Sequence, residues 1–316
     1  MQKKIAFFLT TLLIAASLIG CNKAAVEPVA AIVEETASTQ IMLQDGLGRE
    51  IVLEQPAARI VSLSPSNTEI LFAVGAGDQV VGRDSFSDYP EKAQTLVDVG
   101  GGYSEYNLEQ IVQLEPDLVL AAEINTVELV QSIEDLGIPV FYISNPLTFD
   151  DLYKNIENVG LLTGQADAAQ TVVAGIQSRV DAVVTAVAKA DSTPLVFYEL
   201  DATDPTKPYT AGPDTFYSTL IGMAGGKNVG DALTSSWAQI SLEELVIQDP
   251  DIILLGDSLW GITPDSVGQR EGWSTLTAVK EGNVLPFDDN LLARPGPRLV
   301  DGLEALAQIL HPEVFQ

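Results

Sequence analysis

The sequence predicts an α/β protein of two lobes with mainly parallel central sheets, related by an internal pseudo-repeat and joined by a long rigid helix. Three observations carry this. Residues 107–122 read N-L-E-Q-I-V-Q-L-E-P-D-L-V-L-A-A and residues 241–256 read S-L-E-E-L-V-I-Q-D-P-D-I-I-L-L-G, a helix, turn and buried strand written twice. Short β-rich runs alternate with helical periodicity on both sides of the chain's centre, the pattern of βα units with parallel strands. Between the two halves, residues 149–190 hold helical periodicity and no strand pattern.

The chain opens with Lys3 and Lys4 before an apolar run over residues 5–19 that ends in Leu18-Ile19-Gly20-Cys21. That run is too short for a transmembrane helix, and a small residue before a cysteine marks a bacterial lipoprotein signal. Residues 1–20 are therefore read as a signal peptide and Cys21 as the lipidated residue; an ordinary signal peptide or weak anchor helix is the competing reading. Cys21 is the only cysteine in 316 residues, so no intramolecular disulfide is possible. A lipid thioether plus an amide-linked chain supplies two anchoring signals, which predicts a protein outside the cytoplasm, tethered to the bacterial cell membrane without spanning it. Residues 21–40 read as a flexible tether, 41–148 as the N-terminal lobe, 149–190 as a helical connector and 191–316 as the C-terminal lobe.

Composition bounds the function: 46% hydrophobic residues suffice for real cores, and a net charge of −28 excludes nucleic acid and anionic membrane surfaces as partners, which need cationic patches. Solubility or a salty habitat accounts for the charge.

Residues 41–53 alternate and turn at 45–48, a β-hairpin whose glycines form no dinucleotide fingerprint because no helix follows. Residues 59–63 read as a buried strand, 64–67 as a turn and cap, and 68–74 as a helix ended by Gly75. Strands are expected at 80–82, 118–120 and 140–143. The repeated units open on the N-capping side chains Asn107 and Ser241, and their helices must end before Pro116 and Pro250. Four residues before each cap stands an aromatic, Tyr103 or Trp237, and a pseudo-twofold fold places the two at matching spots flanking a cleft. The second lobe repeats the theme with strands at 195–198, 252–255 and 284–287, a helix over 215–223 stopped at Gly225-Gly226, and a last helix over 297–310 carrying Leu299, Leu303, Leu306 and Leu310 on one face. In the connector, residues 150–162 are expected to pack on one lobe. Residues 166–189 stripe Val172, Val173, Ile176, Val180, Val183, Val184 and Val187 over one long helix that crosses as a stiff strut, weakened slightly by Gly175.

The stretches A-R-I-V-S-L-S-P-S-N-T-E-I-L-F-A-V-G-A-G, S-D-Y-P, N-L-E-Q-I-V-Q-L-E-P-D-L-V-L and A-R-P-G-P-R-L-V-D-G-L-E-A-L-A stand in this order, and with them the chain, from Ile41 to its C-terminus, resembles the substrate-binding proteins of ABC importers that carry cobalamin, haem and iron–siderophore complexes. The matches are closest to cobalamin-binding members. The resemblance implies two lobes on one backbone helix, a shallow cleft for a bulky metal chelate, little closure on binding, and an ABC permease with its ATPase as partner. It places ligand-binding aromatics at Phe86, Tyr103, Tyr209 and Trp237, whose rings suit the flat faces of a macrocycle. It places a carboxylate for amide side groups at Asp288 or Asp289. Two of the family's aromatics are replaced here by Ala122 and Asn290. Permease docking in this class uses one exposed acidic residue per lobe. Glu69 matches the first and Gly222 stands at the second, leaving Asp231, Glu243 and Glu244 as the other acids in reach.

Other ligand classes are weighed by residue type. His311 is the only histidine, so a direct transition-metal site is not expected, nor is any resident cofactor. Haem would use an axial Tyr such as Tyr103 or Tyr209. An anionic ferric siderophore would want converging cations, for which Arg83, Lys207, Arg270, Arg294 and Arg298 are candidates, Arg294 being counted among the ligand-binding residues and Arg298 assigned to pairing near the last helix. An esterase reading rests on Gly256-Asp257-Ser258-Leu259; it fails on the missing D-x-x-H, since Gln308 stands three residues before His311. A surface adhesin fits the anchor but leaves the paired lobes unexplained. The expectation is a monomeric, lipid-anchored solute receptor, not an enzyme, with a corrinoid as ligand and a ferric siderophore or haem as the alternative.

Overall fold

Alternation within the strands decides the architecture of the computed structural model, which describes residues 40–315. The signal peptide, Cys21 and the tether up to residue 39 lie outside the described residues. A hairpin, β1 (Ile41–Gln44) and β2 (Glu50–Leu53), precedes five strands: β3 (Ile60–Ser62), β4 (Val80–Arg83), β5 (Val97–Asp98), β6 (Leu118–Ala122) and β7 (Val140–Ile143). The five pair in the order β5-β4-β3-β6-β7, all parallel, with helices α1 (Pro65–Ala73), α2 (Leu108–Gln113) and α3 (Val127–Glu134) between them. Helices α4 (Phe149–Thr163) and α5 (Ala166–Val187) follow. The second lobe holds β8 (Leu195–Glu199), β9 (Tyr209–Ala211), β10 (Lys227–Asn228), β11 (Trp237–Gln239), β12 (Ile252–Leu255) and β13 (Val284–Pro286). Its central sheet runs β10-β8-β12-β13, again wholly parallel, while β9 and β11 form a separate antiparallel ladder. Its helices are α6 (Phe216–Met223), α7 (Leu242–Gln248), α8 (Pro264–Gly268), α9 (Thr277–Glu281), α10 (Asn290–Ala293) and α11 (Leu299–Leu310). The two-lobed, parallel-sheet fold is the one the sequence predicts.

Each central sheet is apolar on both faces because successive side chains of a strand point opposite ways. Ile60, Leu118, Leu120, Phe141 and Ile143 face inward to a core that also takes Val196, Tyr198 and Leu254 from the second sheet and Ile156, Val173, Ile176, Leu303 and Leu306 from α4, α5 and α11. The alternate residues Val61, Val119, Ala121 and Val140 form an outer core with Ile111 and Ile133; Phe197, Ile253 and Leu255 form the matching one with Leu245 and Trp273. The connector is thus part of a core that both lobes share.

The pseudo-repeat is visible atom by atom. Asn107 and Ser241 accept hydrogen bonds from the amides of Gln110 and Glu244, capping α2 and α7. The residues before the two prolines, Glu115 and Asp249, leave the helical region by turning left-handed, at φ 46° and 48°. The aspartates after the prolines both take an amide from the start of the lobe's first strand: Asp117 from Arg59 at 2.9 Å and Asp251 from Leu195 at 2.7 Å. Within the connector, α4 packs against the first lobe, and α5 runs unbroken through Gly175 for 22 residues, about 33 Å at 1.5 Å per residue. Gly160 lets the two helices approach, since a Cβ there would stand 2.4 Å from that of Ala169. Arg179 of α5 is held by Asp301 at 2.5 Å and Glu304 at 2.6 Å on α11.

Boundaries differ from expectation where proline is involved. Helix α1 starts at Pro65, not at residue 68, because Ser64 is its cap and a proline at the first helical position loses only an N–H that would be orphaned anyway. Helix α11 starts at Leu299, with Arg298 as its N-terminal cap residue.

Candidate functional site

In an open parallel sheet, loops diverge at the carboxyl ends of the strands where the order reverses, and ligands bind in that crevice. The reversal falls at β3 and β6 in the first lobe and at β8 and β12 in the second. The loops after β3, β6 and β12 supply Ser64, Ser66, Glu123, Ile124, Leu259 and Trp260 to one cavity of 690 Å³ between the lobes. Phe86 and Asp88 of the first lobe and Trp237, Arg294 and Pro295 of the second complete it. A second cavity of 490 Å³, lined by Leu147, Asp214, Phe216, Tyr217, Ser236 and Leu292 among others, lies behind it. The two share Glu123, Asn145, Trp237, Ala293 and Pro295, so they are front and rear chambers of one cleft.

Trp237 stands between the chambers. It projects from the β9–β11 ladder 55% exposed, its ring edge-on to Tyr217 at 5.6 Å. Tyr217 is held in turn by Asp289, which accepts hydrogen bonds from Tyr217 at 2.9 Å and from Tyr198 at 2.8 Å. Burial pushes the Asp289 carboxyl up, against the pull of those two phenols. Asp289 thus braces the wall beneath Trp237 through its Oδ1. Asp288 is exposed and accepts from the backbone and side-chain amides of Asn290.

Phe86 lines the front chamber, packed edge-on against Tyr103 at 5.2 Å. Gly102 permits this: its φ is +68°, and a Cβ there would come within 2.6 Å of the Phe86 ring. Tyr103 is 86% exposed and lines neither chamber. Nor does Tyr209, which pairs with Gln239 in the β9–β11 register. Of the two aromatics that the pseudo-repeat places at matching spots, Trp237 lines both chambers, while Tyr103 lines neither and packs against Phe86. Trp260, 75% exposed in the front chamber, is the large ring that residue patterns did not single out. Its one signal is position, five residues past the strand of the second repeat.

Of the five candidate cations, Arg83, Arg270, Arg294 and Arg298 are each engaged by a carboxylate. Arg294 pairs with Asp88 and lies 3.8 Å from Glu69. Arg298 grips the same Glu69 at 2.5 and 2.9 Å and stacks on Tyr89 at 4.1 Å. Glu69 is 3% exposed, and burial pushes its carboxyl up although two guanidinium groups hold it down. This corrects the expectation of an exposed docking acid: Glu69 is sealed inside an ion-pair bridge between the lobes. Arg270 is likewise consumed by Glu199 at 2.6 and 2.8 Å. Ser258 donates to the carbonyl of Phe287, while His311 touches Gly225 and Glu313, so no serine–histidine pair exists among the described residues. The described residues also hold no cluster of metal-ligating side chains and no helix long and apolar enough to cross a membrane.

Comparison with known proteins agrees with the geometry. The family model described as periplasmic binding protein matches residues 60–291. An uncharacterized ABC transporter substrate-binding lipoprotein of Bacillus subtilis, YvrC, is 32% identical over the whole of both chains. A cobalamin-binding protein of Halobacterium salinarum is 33% identical over 88% of this chain and 76% of its own. The apo form of the periplasmic heme-binding protein RhuT from Roseiflexus sp. RS-1 superposes with a TM-score of 0.73 at 28% identity, covering 82% of this chain and 99% of that one.

Proposed function

The chain belongs to the periplasmic binding protein family, whose members bind solutes without transforming them, and from that premise we propose that it is the lipid-anchored receptor of an ABC importer, taking cobalamin or another corrinoid in its interlobe cleft. The observation that carries the ligand is the cleft's charge. Asp88, Glu123 and Asp214 line the two chambers, and the one lining cation, Arg294, is already taken by Asp88 and Glu69. A ferric catecholate or a haem with its propionates is an anion and needs cations converging on it. A corrin instead offers flat apolar faces to Phe86, Trp237 and Trp260 and a rim of amide N–H donors to carboxylates. The names of the Bacillus and Halobacterium relatives point the same way for importer and ligand. Lipidation at Cys21 and delivery to a permease and its ATPase follow from the same reading; docking then falls to exposed carboxylates other than Glu69. Haem is the second reading, favoured by the exposed phenol of Tyr103 beside Phe86.

The test is a tryptophan-fluorescence titration of the full chain in mild detergent with cyanocobalamin, haemin and a ferric tris-catecholate, corrected for inner-filter absorption. Cyanocobalamin should bind saturably, with both anions at least about tenfold weaker, a gap of about 1.4 kcal/mol. Binding of either anion without cyanocobalamin refutes the corrinoid reading.

A further inference from the structure

The 490 Å³ of the rear chamber falls in the size range of small-molecule sites, and it shares Trp237 with the front one. We propose that it receives the upper axial substituent of the corrinoid, and that this substituent is an uncharged nucleoside; the proposal rests on the corrinoid reading. Its walls are chemically specific. Leu147 and Trp237, both half exposed, offer aliphatic and flat surface for a heteroaromatic base, above the nearly buried rings of Phe216 and Tyr217 at the start of α6. Glu123 and Asp214 line the same space as carboxylates that pair with no cation among the described residues. Carboxylates are acceptors only, so they suit ribose hydroxyls and an exocyclic amine, as an acidic residue does on the ribose of a dinucleotide. Among the described residues no Lys or Arg lines the chamber, so it offers no cation to a phosphate. The phosphate-bearing nucleotide loop of a complete corrinoid must therefore point elsewhere, and the group that enters is the neutral one, a deoxyadenosyl group bonded to cobalt.

The experiment is calorimetry of the full chain in mild detergent and in the dark, since light cleaves the cobalt–carbon bond, with adenosylcobalamin and cyanocobalamin side by side. The wild type should bind adenosylcobalamin at least about tenfold more tightly. Leu147 is half exposed, so Leu147→Trp fills the chamber without disturbing the core; it should weaken adenosylcobalamin at least about tenfold more than cyanocobalamin, erasing the preference. Asp214→Asn should shrink the preference without erasing it. Equal affinities in the wild type, or a Leu147→Trp loss shared equally by both ligands, overturns the proposal and leaves the corrinoid reading standing. Wild-type protein that binds neither corrinoid removes both.

Discussion

The indole of Trp237, 55% exposed at the cleft, offers a flat apolar face that a ligand would bury. Because the ring rests on Tyr217 and not in the core, Trp237→Ala should leave the melting temperature nearly unchanged while weakening cyanocobalamin about 10- to 100-fold, the loss expected for an aromatic anchor at a binding site. Calorimetry beside a thermal melt checks both halves. A second residue acts through protons. Asp257, at the carboxyl end of β12, is pushed up to about 7 by burial and by the adjoining Glu199. A carboxyl raised in the folded state contributes stability that is full below about pH 4 and is lost as pH rises through 7. Asp257→Asn has no proton to lose, so its melting temperature should exceed that of the wild type by a margin that grows from pH 5 to pH 8, reaching at least about 2 °C. A constant margin would contradict the assignment. Trp237 was legible because it occupies a fixed place before a repeated cap; Trp260 was not, because an exposed turn carries no periodicity to mark it.

Among the elements, the repeated helix–turn–strand units were the most legible, since a cap, a helix stop at proline and an apolar run each leave a mark in the residues themselves. The long helix α5 was readable for the same reason. The β9–β11 ladder was not: each strand has three residues, and they find each other across 25 intervening positions. The site suffers most from this, because Trp237 lies on that ladder. The glycine run before Tyr103 is the other element that shapes the cleft. Gly100, Gly101 and Gly102 all carry positive φ, which a side chain adopts only with strain. Gly102→Ala should therefore shift Phe86 as well, weakening cyanocobalamin several-fold and reducing the near-ultraviolet circular dichroism of the Phe86–Tyr103 pair. An unchanged affinity would show that Phe86 does not touch the ligand.

At the scale of the molecule, two features hold the lobes: the core shared through α4, α5 and α11, and the Glu69–Arg298 and Asp88–Arg294 pairs across the cleft. Breaking a buried pair strands a charge, so Glu69→Ala should cost about 3–5 kcal/mol in urea unfolding, far more than loss of an exposed docking acid. With the lobes so braced, ligand needs no large closure, and the radius of gyration by small-angle scattering should not change measurably on binding. On the proposed reading, the acidic cleft would favour donor-rich neutral chelates over anions. The measurement that bears most directly on this account is a crystal structure of the full chain grown with cyanocobalamin. The account predicts a corrin ring in the front chamber, between Phe86 and Trp237, with Arg294 still on Asp88. An empty cleft at saturating ligand, or a corrinoid bound elsewhere on the molecule, would contradict it.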